Sequence, residues 1–428
     1  MTRSRSDAAV THRSPVERAF VALTVLRWLP TGFLIPATAL LMQSRGLSLA
    51  EIGFVSAVQG VVVLVLELPT GGLADSLGRR RVLLAASVFD LVSLTVFAMA
   101  HDVAAFALAW GIQGIFRALD SGPLEAWYVD RSLEADPEAD IERGLARSSM
   151  AVGAGISIGA LGTTVMVAIG VGGGGTASLV VPVLVAIGLR AVGLVALAAL
   201  VDEPRHEDAR PALGADIRRS LAEVPGVVGG GLQLMRTHVG LRALVLIEVL
   251  WGAGMLGVEL FAGPRLSELV GGAAEGAALL GITAAIAWSV AAIGAGFTSR
   301  IVTLAGSPAR AGFAMRIAQG LAVAIAAVAG GPAGLITAYL GFYLVHGAAN
   351  AVHYGMVHRL VGSEQRATIL SISSLAARLG GILAGLGVGW LATVAGLPAA
   401  FAASAVLLAV AAPLYTIAGR EHPPTPNR

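Results

Sequence analysis

The stretch Gly71-Gly-Leu-Ala-Asp75-Ser-Leu-Gly78-Arg79-Arg80-Arg81-Val-Leu-Leu84 decides how the rest of the chain is read. It joins two long apolar runs and packs an acid, turn glycines and three cations into one short connection. A connection that tight needs backbone free of Cβ clashes, which glycine supplies. Three guanidinium groups are very costly in hydrocarbon, so Arg79, Arg80 and Arg81 pin this turn to a water-facing surface.

Composition carries the same reading outward to the whole chain. Of 428 residues, 56% are hydrophobic and only 13% charged, and the mean hydropathy is +0.79. A soluble protein would carry about a quarter charged residues. Apolar runs recur at the length of ~20 residues that a bilayer crossing needs. The fold class expected is an all-α, polytopic membrane protein. Cysteine is absent, which excludes disulfides, thiolate chemistry and Cys-ligated metals. All 29 basic residues are arginine, so there is no P-loop lysine and no Schiff-base lysine. No metal-ligand spacing and no nucleophile–base pair stands out, so neither an enzyme, a metal nor a cofactor is expected. The net charge of +2 is small and the arginines flank apolar runs, which gives nucleic-acid binding no support. Residues 2–18 are polar and arginine-rich, and the apolar segment after them is too long for a signal-peptide core; it reads as a retained first span.

Twelve spans are expected, at about 19–43, 51–71, 82–100, 103–131, 145–170, 177–201, 241–263, 276–299, 310–330, 333–358, 366–393 and 397–418. Their connections alternate in charge. One side collects Arg3, Arg5, Arg13 and Arg18, then Arg79–Arg81, Arg131, Arg143 and Arg147, and later Arg205, Arg236, Arg300, Arg310, Arg359, Arg366 and Arg420. The opposite side has only Arg45 and Arg265. The positive-inside rule places the arginine-rich side, and with it both termini, in the cytoplasm. The long connection 202–239 carries mixed charges and a short amphipathic helix around Ile217, Leu221 and Val224. It divides the chain into an N-terminal six-helix bundle (1–201), a cytoplasmic linker (202–239) and a C-terminal six-helix bundle (240–428).

The two halves form a weak repeat. Arg143 opens the fifth span as Arg366 opens the eleventh, and both spans are glycine-rich: Gly153, Gly155, Gly159 and Gly162 in one, Gly380, Gly381, Gly385 and Gly389 in the other. Val129-Asp130-Arg131 ends the fourth span as Val357-His358-Arg359 ends the tenth. Two pseudo-symmetric six-helix bundles around a central cavity suit a carrier that rocks about a midplane site.

Charged residues inside spans are expensive and are functional candidates by default. The fourth span aligns Trp110, Gln113, Arg117, Asp120, Ser121, Leu124, Tyr128 and Arg131 at steps of three and four residues. The seventh aligns Glu248, Trp251, Met255 and Glu259, and the tenth Tyr339, Tyr343, His346, Asn350 and His353. The first offers Arg27, Thr31 and Thr38, and the eleventh Ser371, Ser374 and Arg378. Stripes of that polarity must face protein or water rather than lipid. The cavity residues expected are Arg27, Thr31, Trp110, Gln113, Arg117, Tyr128, Trp251, Met255, Tyr343, His346, Asn350 and Arg378. Asp120, Glu248 and Glu125 are the acids placed to carry a coupling proton. Arg117 and Asp120, one turn apart, fit a fixed structural pair equally well. Glu259 reads as a solvated end residue, and Arg316 as close enough to its helix end to snorkel.

The opening stretch resembles the signature loop between helices 2 and 3 of the major facilitator superfamily, Gly-x-Leu-Ala-Asp-x-x-Gly-Arg-Arg, which Gly71, Leu73, Ala74, Asp75, Gly78, Arg79 and Arg80 match in order. The segment Ser121–Asp130 resembles helix 4 of a subset of drug and metabolite exporters. The resemblance implies that helices 1, 4, 7 and 10 line the cavity, and that helices 3 and 6 are peripheral, so that Asp90 and Arg190 there would be a structural pair. It also implies that Gly71, Asp75, Gly78, Arg79, Arg80 and Arg81 latch the cytoplasmic helix ends, with Asp75 reaching cations such as Arg131 and the arginines reaching the acidic segment 134–142. Antiporters of the superfamily carry Gly-x-x-x-Gly-Pro in helix 5; here Gly155 and Gly159 are followed by Ala160.

The function expected is a monomeric secondary transporter in a bacterial inner (cytoplasmic) membrane. It would export a small drug-like or natural-product molecule against inward proton flow, its partners being that cargo, protons and the bilayer. The alternatives are proton-linked uptake of a sugar or other nutrient, and a transport-dead receptor of the same fold. Cytoplasmic termini predict that a fluorescent protein fused after Arg428 is bright, whereas alkaline phosphatase fused there is inactive; an active phosphatase would invert the topology.

Overall fold

A computed structural model describes residues 14–71, 74, 77–202, 222, 226, 229–230, 233–362 and 365–421. Twelve helices long and apolar enough to cross a membrane run through them. They are α1 Pro15–Ser44, α2 Leu49–Gly71, α3 Arg79–Met99, α4 Val103–Ala135, α5 Ile141–Ala168 and α6 Gly175–Leu200, then α7 Val239–Val270, α8 Ala273–Gly296, α9 Pro308–Val328, α10 Pro332–Leu360, α11 Arg366–Ala395 and α12 Leu397–Ala418. The described residues contain no strand. The amphipathic segment expected around Ile217, Leu221 and Val224 lies outside the described residues.

Local chemistry sets the helix starts. The side chains of Ser14, Asp102, Asp140 and Ser307 each accept a hydrogen bond from the backbone N–H three residues on, satisfying a donor that the first turn leaves free. Gly78 precedes α3 at φ +91°, a conformation that favours glycine, so Arg79, Arg80 and Arg81 form the first turn of α3 rather than part of a loop.

Two spans expected to be continuous are broken. α1 is helical over Pro15–Leu34 and again over Thr38–Ser44; Pro36, between them, has no N–H to give. α4 is helical over Val103–Leu119 and Pro123–Ala135, interrupted where Gly122 turns at φ +95° ahead of Pro123. A break frees carbonyls that hydrocarbon cannot satisfy, so protein groups must reach them. Arg27 Nη2 donates to the Asp120 carbonyl (2.8 Å), and Thr70 Oγ1 donates to that of Ala118 (3.1 Å).

Small residues then set helix spacing. In the first half, α1 crosses α5 where Gly32 meets Gly159; in the second, α7 crosses α11 where Gly252 faces Ala377 and Gly380 faces Val249. The halves meet each other along α2 with α11 and along α5 with α8. A Cβ on Gly53 of α2 would collide with the carbonyl oxygen of Gly385 on α11. Beside that crossing, the Ala50 N–H donates to Thr393 Oγ1 (2.8 Å). Between α5 and α8, Thr164 Oγ1 donates to the Ala278 carbonyl (2.9 Å) and Ser157 Oγ to that of Ala285 (3.0 Å). Ala160 is fully buried at this α5–α8 contact. Leu49, Ala50, Thr393 and Ala278 all stand near the arginine-poor ends of their helices, so the halves are closed at that end.

The two arginines that break the charge bias have matching jobs. Arg45, just after α1, donates to the carbonyls of Ala98 (2.8 Å) and Phe97 (3.2 Å) at the end of α3. Arg265, near the end of α7, donates to the Ala329 carbonyl (3.0 Å) at the end of α9. Each cation meets the negative pole and free carbonyls of a helix C-terminus. The first and seventh helices, and the third and ninth, are counterparts in a six-plus-six repeat, so the two contacts are equivalent.

The chain has no native cysteine. Ala50→Cys with Thr393→Cys is therefore expected to cross-link on oxidation, and Gly53→Val to suppress that cross-link by wedging α2 from α11. Efficient cross-linking in the Gly53→Val background would refute the close approach.

Candidate functional site

A cavity of about 240 Å³ lies inside the N-terminal half, at the contact with α11. Arg27 and Thr31 reach it from α1, Trp110, Gln113, Arg117 and Asp120 from α4, and Arg378 from α11. These seven, all singled out from the sequence, meet around one space. Gln59 Nε2 donates to Gln113 Oε1 across its wall, and Trp28, Leu94 and Phe116 give it an apolar side.

Its charges are arranged in pairs. Arg27 Nε stands 2.6 Å from Asp120 Oδ2. The carboxylate of Asp120 is thus paired across helices to α1, and not along α4 to Arg117 as its spacing suggested. Asp90 and Arg190 do meet, at 2.7 Å, both nearly inaccessible. This pair is not remote from the cavity: Arg190 also donates to the Arg27 carbonyl (2.6 Å) and to Thr31 Oγ1 (3.1 Å), and it lines the space itself. Arg378 Nε pairs with Glu67 Oε2 at 2.6 Å, and Ser374 Oγ donates to Glu67 Oε1 (3.1 Å), so this pair ties α2 to α11 across the two halves.

Two α4 residues expected at the site, Glu125 and Tyr128, lie elsewhere. Glu125 is exposed, and Tyr128 is buried with its ring stacked on Phe20 at 4.3 Å. The break at Asp120–Gly122 is the reason, because it restarts the helix and rotates the residues beyond it out of register.

The residues expected from the second half form a separate cluster. Glu248 of α7 and His353 of α10 pair at 2.9 Å, both fully enclosed, and His353 Nδ1 shares a 3.0 Å hydrogen bond with the Tyr415 hydroxyl of α12. Trp251 stacks on His346 (5.6 Å), which shares a hydrogen bond with Asn350 (3.1 Å). Met255 packs beside Trp251 against the core of this half. Arg316 does not snorkel: it is 0% exposed, donates to Gln319 Oε1 (2.7 Å) and lies over the Trp251 ring. Glu259 is exposed but lies inside α7 and not at its end, and the Tyr343 hydroxyl donates to it (2.7 Å).

At the arginine-rich end, Gly71 closes α2 and Gly78 precedes α3, while Asp75 lies outside the described residues. Arg79 pairs with Asp130 of α4, and Arg80 Nη2 donates to the Ala198 carbonyl of α6 (2.7 Å); Arg81 is exposed. Arg131 pairs with Glu134 (2.6 Å) and Asp202 (3.0 Å). These contacts bind α3, α4 and α6 to one another within the first half.

A family model described as "Major Facilitator Superfamily" matches residues 20–352. The chain belongs to the major facilitator superfamily. The uncharacterized MFS-type transporter YxaM of Bacillus subtilis (strain 168) is 28% identical over 108 residues, which is 25% of this chain and 27% of the length of YxaM. Solved structures of the superfamily share the fold. The nucleoside transporter NupG superposes at a TM-score of 0.77 with 13% identity, over 95% of this chain and 99% of NupG. A bacterial homologue of the human lysosomal transporter Spinster superposes at 0.71 with 15% identity, over 96% and 98%.

Sequence reasoning passed over Glu67, and it set Asp90 and Arg190 at the periphery. The available signal was the same one used elsewhere: an ion inside an apolar run that must find a partner. Asp90→Asn or Arg190→Gln alone is expected to cost about 3–5 kcal/mol, the usual penalty for stranding one member of a buried pair, and the double variant to regain part of it. Melting of the purified variants measures this; additive losses would show that the two do not act as a pair.

Proposed function

We propose that the chain is a secondary active transporter working by alternating access, which couples inward proton flow to the export of a small organic molecule. The observation that carries the reading is the ion-lined cavity between α1 and α4, which Arg378 of α11 in the other half also borders. A cavity bounded by both halves changes shape when they rock, and its ions change partners or solvation as it does. With the arginine-rich end in the cytoplasm, closure of the halves along Gly53 and Gly385 seals the outer face.

Two acids are placed to carry the proton. Asp120 sits in the cavity wall, and its partner Arg27 is on another helix, so a shift of α1 against α4 separates them. Glu248 is enclosed against His353 of another helix. The polar wall and aromatic side of the cavity favour a drug-like or natural-product cargo, handled by a single chain in the membrane. NupG, named for nucleoside transport, shares only the fold with this chain and leaves proton-linked uptake as the rival reading.

Reconstitution tests this directly. A panel of labelled compounds in proteoliposomes should move against the proton gradient, outward with respect to the arginine-rich face. Asp120→Asn or Glu248→Gln should abolish gradient-driven movement while leaving exchange of cargo and folding in place. Co-movement of cargo with protons would replace export by uptake, and full activity in both variants would remove the coupling assignment.

A further inference from the structure

Four arginines border the cavity, and three already own a carboxylate: Arg27 has Asp120, Arg190 has Asp90 and Arg378 has Glu67, each at 2.6–2.7 Å. Arg117 has none. Among the described residues it makes no hydrogen bond and no ion pair, and its side chain is exposed on the cavity surface. Its electrostatic neighbours are Arg378, Arg27 and Arg190 together with the already paired Asp120. Glu259 comes within electrostatic reach from the second half, but its carboxylate is engaged by the Tyr343 hydroxyl at 2.7 Å. A hydroxyl donor leaves the Glu259 charge in place, but among the described residues no carboxylate lies within ion-pair distance of Arg117, so its N–H donors stay open to an anion entering the cavity.

We infer that the cargo carries an anionic group, a carboxylate or a phosphate, which is bound by the unpartnered guanidinium of Arg117. The inference rests on the transport reading above and names the class of molecule moved. The planar fork of arginine matches both groups through paired N–H donors. The rest of the cavity says what the anion is attached to. Trp28, Trp110, Leu94 and Phe116 present rings and an aliphatic chain, while Gln59 and Gln113 present amides, so the body is organic with an apolar face and a few polar substituents. A bare inorganic anion would fill only a corner of 240 Å³.

The test uses matched probes on the full chain in nanodiscs. Phenyl, hexyl and glucosyl scaffolds, each bearing a carboxylate, a carboxamide or an ammonium group, are compared by change in intrinsic tryptophan fluorescence. On the scaffold that binds best, the carboxylate should bind at least tenfold more tightly than the amide, and the ammonium most weakly. Arg117→Gln should bring the carboxylate to within about twofold of the amide while leaving amide binding unchanged. Should that variant fail to fold, Arg117→Lys keeps the charge but loses the fork, and it should weaken the carboxylate at least threefold without touching the amide. An amide or ammonium that binds best, no carboxylate binding on any scaffold, or an acid preference that survives both substitutions would overturn the inference. Transport of the best binder in proteoliposomes separates the two claims. Movement of ammonium probes alone would spare the transporter and sink the anion site. A carboxylate bound through Arg117 but never moved would do the reverse.

Discussion

An ion inside a bilayer must be matched by another ion, a dipole or water held by the protein, because lipid offers none of these. Most of this architecture follows from that constraint. Arg27 with Asp120, Asp90 with Arg190, Glu67 with Arg378 and Glu248 with His353 each join different helices, so every pair fixes a helix-to-helix distance as well as a charge. Exchanging these pairs for apolar packing would serve stability as well or better, since buried ion pairs rarely repay their desolvation. Their presence fits a protein whose interior is wetted and dried in turn.

Much of this was legible in the sequence, and the parts that were not have physical reasons. Span number followed from hydropathy, a signal that depends on the bilayer and not on tertiary detail. The α1 and α4 stripes located the cavity because helical period is a local property. Partner choice was not local. Spacing put Asp120 one turn from Arg117, but the Gly122-Pro123 break turns the chain after the first segment of α4 and offers the carboxylate and carbonyl together to Arg27. The same break explains why Tyr128 left the stripe for the Phe20 ring. Arg316 misled for a different reason: nearness to a helix end suggested snorkelling, whereas Gln319 and the Trp251 ring hold it inward.

Asp75 of the opening stretch lies outside the described residues, and the arginines beside it make contacts of their own. Arg79 and Arg80 bind α4 and α6 of their own half, through Asp130 and the Ala198 carbonyl. Contacts of this kind, exposed to water and individually weak, stiffen a bundle cheaply and leave its outer surface free to part from the other half.

The matched clamps of Arg45 on the end of α3 and Arg265 on the end of α9 bear on what kind of machine this is. Each takes a helix that would otherwise be free to slide and bolts it to the first helix of its own bundle. Two cassettes braced in the same place have little internal slack, so strain created at either one is delivered to the seam between them. In the transport reading proposed above, that seam, closely packed at Gly53 and Gly385, is the hinge line of a pair of stiff levers.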